Sequence, residues 1–143
     1  MQFLEKINLN LVQTFDKKIV LGEELYQKIL LDKLELNQGM LIENIVAQMF
    51  VASGHTLYFY STNAPSAPDR MEIDFLIEKQ TLTNAHNICP IEVKSGKRYT
   101  TTSLNKFKAK YQEQLHTPYV IHCQDLEQRD GVVFLPIYMT SLI

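Results

Sequence analysis

The stretch MEIDFLIEKQTLTNAHNICPIEVKSGK, residues 71 to 97, places two acids and a lysine inside what otherwise reads as a pair of hydrophobic strands. Its two apolar runs, RMEIDFLIE and NICPIEVK, flank the polar segment KQTLTNAH. Apolar runs of this length around a polar connection predict a β-hairpin. Asp74, Glu92 and Lys94 lie inside the predicted strands, where each unpaired charge is unfavourable. These three residues are therefore the first candidates for a functional site.

The register of the hairpin follows from its expected loop, residues 79 to 87. In an antiparallel pair with this loop, Asp74 falls opposite Glu92 and Glu72 falls opposite Lys94. The alternate side chains are expected to form a dry face made of Ile73, Phe75, Ile77, Cys89, Ile91 and Val93. One face of the hairpin is thus predicted to be apolar and the other charged.

The charged face has two interpretations. In the first it is simply solvated, as is common for antiparallel sheets, and Glu72 forms an exposed ion pair with Lys94. In the second, Asp74 and Glu92 share a divalent cation, because like charges directly opposite each other destabilise a strand pair. Mg²⁺ and Mn²⁺ prefer oxygen ligands and retain water for chemistry on phosphate. Lys94 could then orient the attacking water or stabilise charge on the phosphate.

Helical periodicity precedes the hairpin. The segments EELYQKILLDKL and GMLIENIVAQMFVASG both repeat apolar residues at helical spacing, and the second is expected to be nearly buried and to stop at Gly54. Its helical period runs through Leu41, Ile45, Gln48, Met49 and Ala52. A strand, TLYFYST, and a loop, NAPSAPD, are expected between this helix and the hairpin.

Downstream of the hairpin the sequence predicts a basic helix around TSLNKFKAKYQEQL, a strand PYVIHC, a turn, a strand GVVFLP and a terminal helix IYMTSLI. This order of elements predicts an α/β fold. No internal repeat or long linker divides the chain, so we expect a single globular unit, with residues 1 to 38 as a helical segment packed on the domain formed by residues 39 to 143.

The composition is that of an ordinary globular protein. The chain has 143 residues, 45% hydrophobic and 21% charged, and its net charge of -2 argues against a strongly basic nucleic-acid binder, although local clusters can matter more. Cys89 and Cys123 form no CxxC pair and are interpreted as reduced core thiols of an intracellular protein. We expect a cytoplasmic location and no membrane partner, because no signal peptide and no run of roughly 18 apolar residues is present.

A basic tract adjoins the charged strands. Between Val93 and Gln112 there is no acid and there are six basic residues, Lys94, Lys97, Arg98, Lys106, Lys108 and Lys110. Such a tract could neutralise the phosphates of DNA or RNA on either side of a scissile bond. The alternative is an ordinary solvated helix face. The four histidines share no zinc-ligand spacing, and no serine or cysteine nucleophile has a recognisable base nearby in the sequence.

The quoted blocks resemble a known superfamily. The Asp of EIDF and the Glu-x-Lys of PIEVK, preceded by Glu43 in GMLIENIVAQ, resemble the PD-(D/E)XK nuclease-like superfamily. From about Leu21 to the end, GMLIENIVAQMF, RMEIDFLI, PIEVKSGKRYT, SLNKFKAKY, PYVIH and LPIYM are similar to the poorly characterised domain at the C-terminus of many prokaryotic AAA-type ATPases. The resemblance implies a restriction-endonuclease-like architecture, a mixed central sheet flanked by helices.

The resemblance also implies roles for single residues. It makes Asp74, Glu92 and the backbone carbonyl of Val93 the ligands of Mg²⁺ or Mn²⁺, Lys94 the catalytic lysine, and Glu43 an accessory acid from the helix. The nucleic-acid-binding residues would be Lys97, Arg98, Lys106, Lys108 and Lys110. The function predicted on this basis is a metal-dependent phosphodiester hydrolase acting on DNA or RNA.

The ATP-binding part of such ATPases is not expected in this sequence. No G-x-x-x-x-G-K-[ST] motif occurs, because Ile91 stands where the first glycine before SGKRYT would be needed. The chain therefore looks like the detached C-terminal part of an ATPase and should have no ATPase activity, although an ATPase module could be its partner. The alternative function is a non-catalytic module that positions an ATPase on nucleic acid or on a partner protein.

Overall fold

The structure is a computed structural model and describes residues 38–62, 70–79 and 87–143. The predicted helix EELYQKILLDKL, the loop NAPSAPD and all but the last residue of the predicted N-terminal segment lie outside the described residues. Within the described ranges, every helix is too short or too polar to cross a bilayer.

Six strands form one mixed sheet in the order β1-β2-β3-β4-β6-β5. The β3–β4 and β4–β6 pairs are parallel, whereas β1–β2, β2–β3 and β5–β6 are antiparallel. In chain order the elements are α1 (Gln38–Ala52), β1 (Tyr58–Ser61), β2 (Glu72–Glu78), β3 (Ile88–Lys94), α2 (Thr102–Tyr111), a 3₁₀ turn (Gln112–Gln114), β4 (Tyr119–His122), β5 (Glu127–Arg129), β6 (Val132–Pro136) and a 3₁₀ helix (Ile137–Leu142). This confirms the predicted α/β class with a mixed central sheet flanked by helices.

The sheet lies between the two helices and has a hydrophobic core on each face, because successive strand side chains point to opposite sides. The α1-side core contains Val46, Ala47, Phe50, Leu57, Phe75, Ile77, Cys89, Ile91, Val93 and Ile121. The α2-side core contains Tyr60, Met71, Ile73, Leu76, Ile88, Leu104, Phe107, Val120, Val132 and Phe134. Strand β3 is therefore buried on both faces along most of its length.

Helix α1 stops where the sequence predicts. Gly54 adopts a φ of 86°, which favours glycine, and its N–H donates to the carbonyl of Val51 at 3.0 Å. The N–H of His55 donates to the carbonyl of Phe50 at 3.0 Å. These two bonds form a Schellman motif, which satisfies carbonyls that the helix end would otherwise leave without partners.

The prediction that α1 is nearly buried is wrong. Leu41, Ile45, Gln48 and Ala52, which follow the predicted helical period, are exposed, and Met49 is only half-buried. The residues that pack on the sheet are Val46, Ala47 and Phe50. Apolar residues surround this helix on nearly every side, so more than one face fits a period of 3.6 residues. The choice between these faces is made by tertiary packing, including the edge-on contact of Phe50 with Phe75 at a centroid distance of 6.2 Å.

The predicted register of the hairpin is confirmed over four positions. Glu78 pairs with Ile88, and the ladder continues in the same register to Phe75 opposite Ile91. Ile73, however, packs in the α2-side core rather than on the same face as Phe75. A register shift in the β1–β2 pairing, between Tyr58 and Tyr60, lies beside this part of β2 and disturbs the regular alternation there.

The C-terminal part of the sheet contains a strand that the sequence reading missed. The segment predicted only as a turn includes β5, which pairs with β6 through the two-residue connection Asp130 and Gly131. Both residues have positive φ, 52° and 70°, as the type I′ turns of tight hairpins require. The predicted terminal helix is present as a 3₁₀ helix. Cys89 is buried as predicted, whereas Cys123 is exposed rather than in the core, because it follows the last residue of β4.

Candidate functional site

The buried carboxylate of Glu92 lies at the centre of the site. The residue is 2% exposed, and its Oε1 accepts a hydrogen bond from the backbone N–H of Leu104 at 2.9 Å. Its Oε2 lies 3.0 Å from Nζ of Lys94, which is an ion pair. Within the described part of the chain, this charge-assisted contact with Lys94 is the one partner of Oε2. A carboxylate oxygen can accept more than one hydrogen bond, so Oε2 keeps acceptor capacity that the described residues do not use.

Asp74 lies on the neighbouring strand, where the regular β2–β3 ladder ends. Its Oδ2 accepts a hydrogen bond from the backbone N–H of Val93 at 2.7 Å, so a side chain replaces the backbone carbonyl as the acceptor. Burial raises the pKa of Asp74, while the Val93 N–H and the charge of Lys94 act to lower it. The carboxylate is half-buried and is held against β3.

The electrostatics join Glu43 of α1 to the same cluster. Burial raises the pKa of Glu92, against the lowering effect of Lys94, and the charge of Asp74 raises it further. Burial also raises the pKa of Glu43. The negative charges of Asp74 and Glu72 raise this pKa further, whereas the positive charge of Lys94 lowers it. The carboxyls of Glu43, Asp74 and Glu92 are therefore harder to ionise than usual, first because they are buried and second because neighbouring acids repel them. A cation placed among them would relieve this repulsion.

The donor set fits a magnesium-like ion in type and number. Mg²⁺ commonly binds through one or two carboxylates and keeps several of its waters. Asp74 and Glu92 can supply two carboxylates, and Oε2 of Glu92 has no described partner other than the ammonium of Lys94. Among residues 38–62, 70–79 and 87–143, no group of three or more His, Cys, Asp or Glu side chains is arranged to hold a metal ion. The arrangement therefore does not suit a closed, all-protein metal cage.

The interpretation of the second hairpin face as simply solvated is wrong. Leu76 and Pro90 on this face are buried, as is Glu92, because α2 covers them. Lys94 is only partly exposed, with 25% of its side-chain surface accessible. Lys94 forms its ion pair with Glu92 and not with Glu72.

Glu92 also performs a task that sequence reasoning missed. Helix α2 has no acid in its first turn, and Thr101, the residue before it, makes no side-chain capping bond. The N–H of Leu104, in the first turn, donates instead to the Glu92 carboxylate. A negative charge at this position is stabilised by the helix dipole. No local pattern could reveal this contact, because it joins residues on separate elements.

The predicted basic residues lie in two places. Lys97 and Arg98 are exposed in the loop after β3, directly beyond Lys94. The other three, Lys106, Lys108 and Lys110, lie on α2. Two of these have described contacts. Lys108 donates to the carbonyl of Asp130 at 2.7 Å, and Nζ of Lys110 lies 5.1 Å from the ring centroid of Tyr111.

The comparisons with known proteins identify a family. The sequence model of a family described as "Domain of unknown function (DUF4143)" matches residues 38–140, which include every strand and both helices of the described fold. No curated protein and no solved structure matches the chain.

Proposed function

The chain belongs to the DUF4143 family, and we propose that it is a metal-dependent phosphodiester hydrolase acting on nucleic acid. The observation that carries this proposal is the Glu92 carboxylate, which is 2% exposed and whose buried Oε2 has the ammonium of Lys94, at 3.0 Å, as its one partner among the described residues. Burying a charged oxygen without full compensation destabilises a fold, so such an arrangement is typical of functional sites.

In this proposal, Asp74, Glu92 and the carbonyl of Val93 hold Mg²⁺ or Mn²⁺. The bound ion would supply a Lewis acid for the phosphate and a water of lowered pKa. The chain's own residues supply the positioning. The Val93 N–H fixes Oδ2 of Asp74, and the first turn of α2 fixes Oε1 of Glu92, so both carboxylates are oriented before a ligand arrives.

Lys94 is the proposed catalytic lysine. Its ammonium is held by Glu92 Oε2 at 3.0 Å, close to where phosphate charge would develop. A positioned cation of this kind stabilises that charge or orients the attacking water. Glu43 would act as the accessory acid from α1: burial raises its pKa, and the charges of Asp74, which raises the pKa further, and of Lys94, which lowers it, both act on this carboxyl. More specifically, we propose that this is a restriction-endonuclease-like site and that the chain is linked to an AAA-type ATPase.

Cleavage by the purified 143-residue chain tests the proposal. With Mg²⁺ or Mn²⁺, labelled DNA or RNA should be cut, and Asp74→Asn or Lys94→Met should lower the rate by about a hundredfold or more. The matched control is Glu78→Gln, an exposed acid at the other end of β2, which should cut as the wild type does. Equal rates for Asp74→Asn and wild type would refute the assignment.

A second candidate, a non-catalytic interaction module, is favoured by the capping role of Glu92. One oxygen of this carboxylate binds the first turn of α2 and the other contacts Lys94, so a structural reason for the residue exists without any reaction. Isothermal titration calorimetry separates the two candidates. A lack of heat on titration with millimolar Mg²⁺ or Mn²⁺, together with lower stability of Glu92→Gln than of the wild type, would favour the interaction module.

A further inference from the structure

Side-chain hydrogen bonds fasten the loop after β3, residues 95 to 101, to the turn after β4. The Tyr99 hydroxyl lies 2.7 Å from Nδ1 of His122, the last residue of β4. The side-chain amide of Gln124 donates to the carbonyl of Lys97 at 2.9 Å. The two contacts hold the loop on either side of Arg98.

The direction of the Tyr99 bond follows from the other ring nitrogen of His122. Nε2 lies 3.1 Å from the carbonyl oxygen of Asp125, which can only accept, so Nε2 carries the proton. In the neutral ring Nδ1 is then the acceptor, and the Tyr99 hydroxyl donates to it. Burial raises the pKa of Tyr99 and keeps this hydroxyl protonated. His122 is itself 1% exposed, so its ring nitrogens depend on these two partners.

The fastened loop carries exposed charge beside the proposed site. Lys97 and Arg98 are exposed, and they follow Lys94 after only two residues. In the parallel β3–β4 pair, Lys94 is the register partner of His122. The histidine that holds the loop therefore lies on the neighbouring strand, beside Lys94. Holding a backbone in its binding conformation reduces the entropy that must be lost on association.

We propose that the Tyr99–His122 hydrogen bond positions Lys97 and Arg98 for contact with nucleic-acid phosphates next to the Asp74, Glu92 and Lys94 site. Tyr99 and His122 are positioning residues, since they act through the loop and touch no substrate. This inference rests on the proposed function and deepens it. It assigns the affinity for phosphate to the loop after β3, whose conformation is held by His122 of the neighbouring strand β4.

Limited trypsin digestion tests directly whether the Tyr99–His122 hydrogen bond holds the loop in place, because trypsin cleaves after Lys97 and Arg98. Tyr99→Phe removes only the hydroxyl and keeps an aromatic residue after Arg98. Loss of one hydrogen bond should raise cleavage within the loop about threefold to tenfold, since cleavage follows the population of the opened loop. Tyr138→Phe, at a tyrosine that is 78% exposed, is the matched control and should digest as the wild type does.

Binding of a fluorescein-labelled DNA duplex or RNA strand, measured by anisotropy without divalent ions over a salt series, tests the consequence. Tyr99→Phe should raise Kd about threefold or more, with an unchanged slope of log K against log salt, because no charge is removed. Lys97→Gln should instead reduce that slope by about one unit. Adding Gln124→Ala to Tyr99→Phe should weaken binding further, since the second contact is also lost.

The outcomes distinguish this inference from the proposed function. Wild-type affinity in Tyr99→Phe, whether or not trypsin cleaves the loop faster, overturns the inference while the proposed function stands. A wild-type chain that binds neither DNA nor RNA overturns the proposed function and, with it, the inference. Weaker binding with faster digestion and an unchanged salt slope supports both.

Discussion

The two halves of the β2–β3 hairpin differ in what holds them together. In the regular half, Phe75–Glu78 pairs with Ile88–Ile91 through a backbone ladder, and most of its side chains are buried and apolar. In the charged half, next to Asp74 and Glu92, a carboxylate takes the place of a backbone acceptor and an ion pair takes the place of packing. The contrast indicates that the regular half contributes most of the stability, whereas the charged half is the part to which the proposed function assigns cation binding.

The largest effect on stability is expected from Ile91→Ala in the regular half. Ile91 is fully buried in the α1-side core, so removal of its side chain leaves a cavity and should lower the free energy of unfolding by about 2 to 5 kcal/mol. Urea denaturation measures this change. The control is Val51→Ala on α1, where the side chain is 55% exposed and the change should stay within about 0.5 kcal/mol. Similar losses at the two positions would contradict the assignment of stability to the regular half.

A smaller loss is expected from Lys94→Met in the charged half. The substitution leaves the buried Glu92 carboxylate without its counter-ion, which should lower stability by about 1 to 3 kcal/mol at neutral pH. In a Glu92→Gln background the same substitution should have little effect, since no charge remains to be compensated. Denaturation of the two single variants and the double variant forms a thermodynamic cycle. An equal loss in both backgrounds would show that Lys94 stabilises the fold by packing rather than by charge.

The carboxyl groups at the charged half of the hairpin should make the stability of the fold depend on pH. The pKa values of Glu43, Asp74 and Glu92 are raised in the folded state, so the folded chain binds protons more readily than the unfolded chain there. Their contribution to stability should therefore increase as the pH falls from above the folded pKa values towards the ordinary carboxyl range near 4, and should be lost as the pH rises. The difference between wild type and Glu92→Gln, measured by thermal melts across pH, isolates one such contribution. A difference that does not vary with pH would contradict the shift.

The smallest effect is expected at the far end of the hairpin. Glu78→Gln removes an exposed carboxylate that accepts a hydrogen bond from Asn87 at 2.6 Å. Stability should change by no more than about 0.5 kcal/mol, and Mn²⁺ binding should be unaffected. Calorimetric titration of Mn²⁺ into this variant and into Asp74→Asn compares the two ends of β2. Loss of the binding heat in Glu78→Gln would place the cation away from the charged half.

The hairpin and its register were predictable because their signals are local. Alternating apolar residues around a polar connection set the pairing from Glu78 to Phe75, and Gly54 marked the end of α1. Strand β5 was predictable too, since Asp130 and Gly131 form a typical tight hairpin connection. That signal was present in the sequence and was not used.

Other features depend on contacts that no local pattern encodes. The buried face of α1 is selected by its fit to the sheet, and Phe50 rather than Leu41 takes the central place. The bond from Leu104 to Glu92 joins a helix to a separate strand, and the Tyr99–His122 bond joins the loop after β3 to the last residue of β4. The candidate site residues could thus be predicted because they are charged residues in apolar strands. The hydrogen bonds that hold these residues and the neighbouring loop in place could not be predicted from the sequence.

The most direct test of the central claim is a crystal of the chain soaked in Mn²⁺ and measured at the manganese absorption edge. A cation shared by the two strand carboxylates predicts an anomalous peak between Asp74 and Glu92, within coordination distance of Glu92 Oε2. No peak at this position at millimolar Mn²⁺, with Lys94 still paired to Glu92, would contradict the metal-dependent site and leave the capping of α2 as the role of that carboxylate.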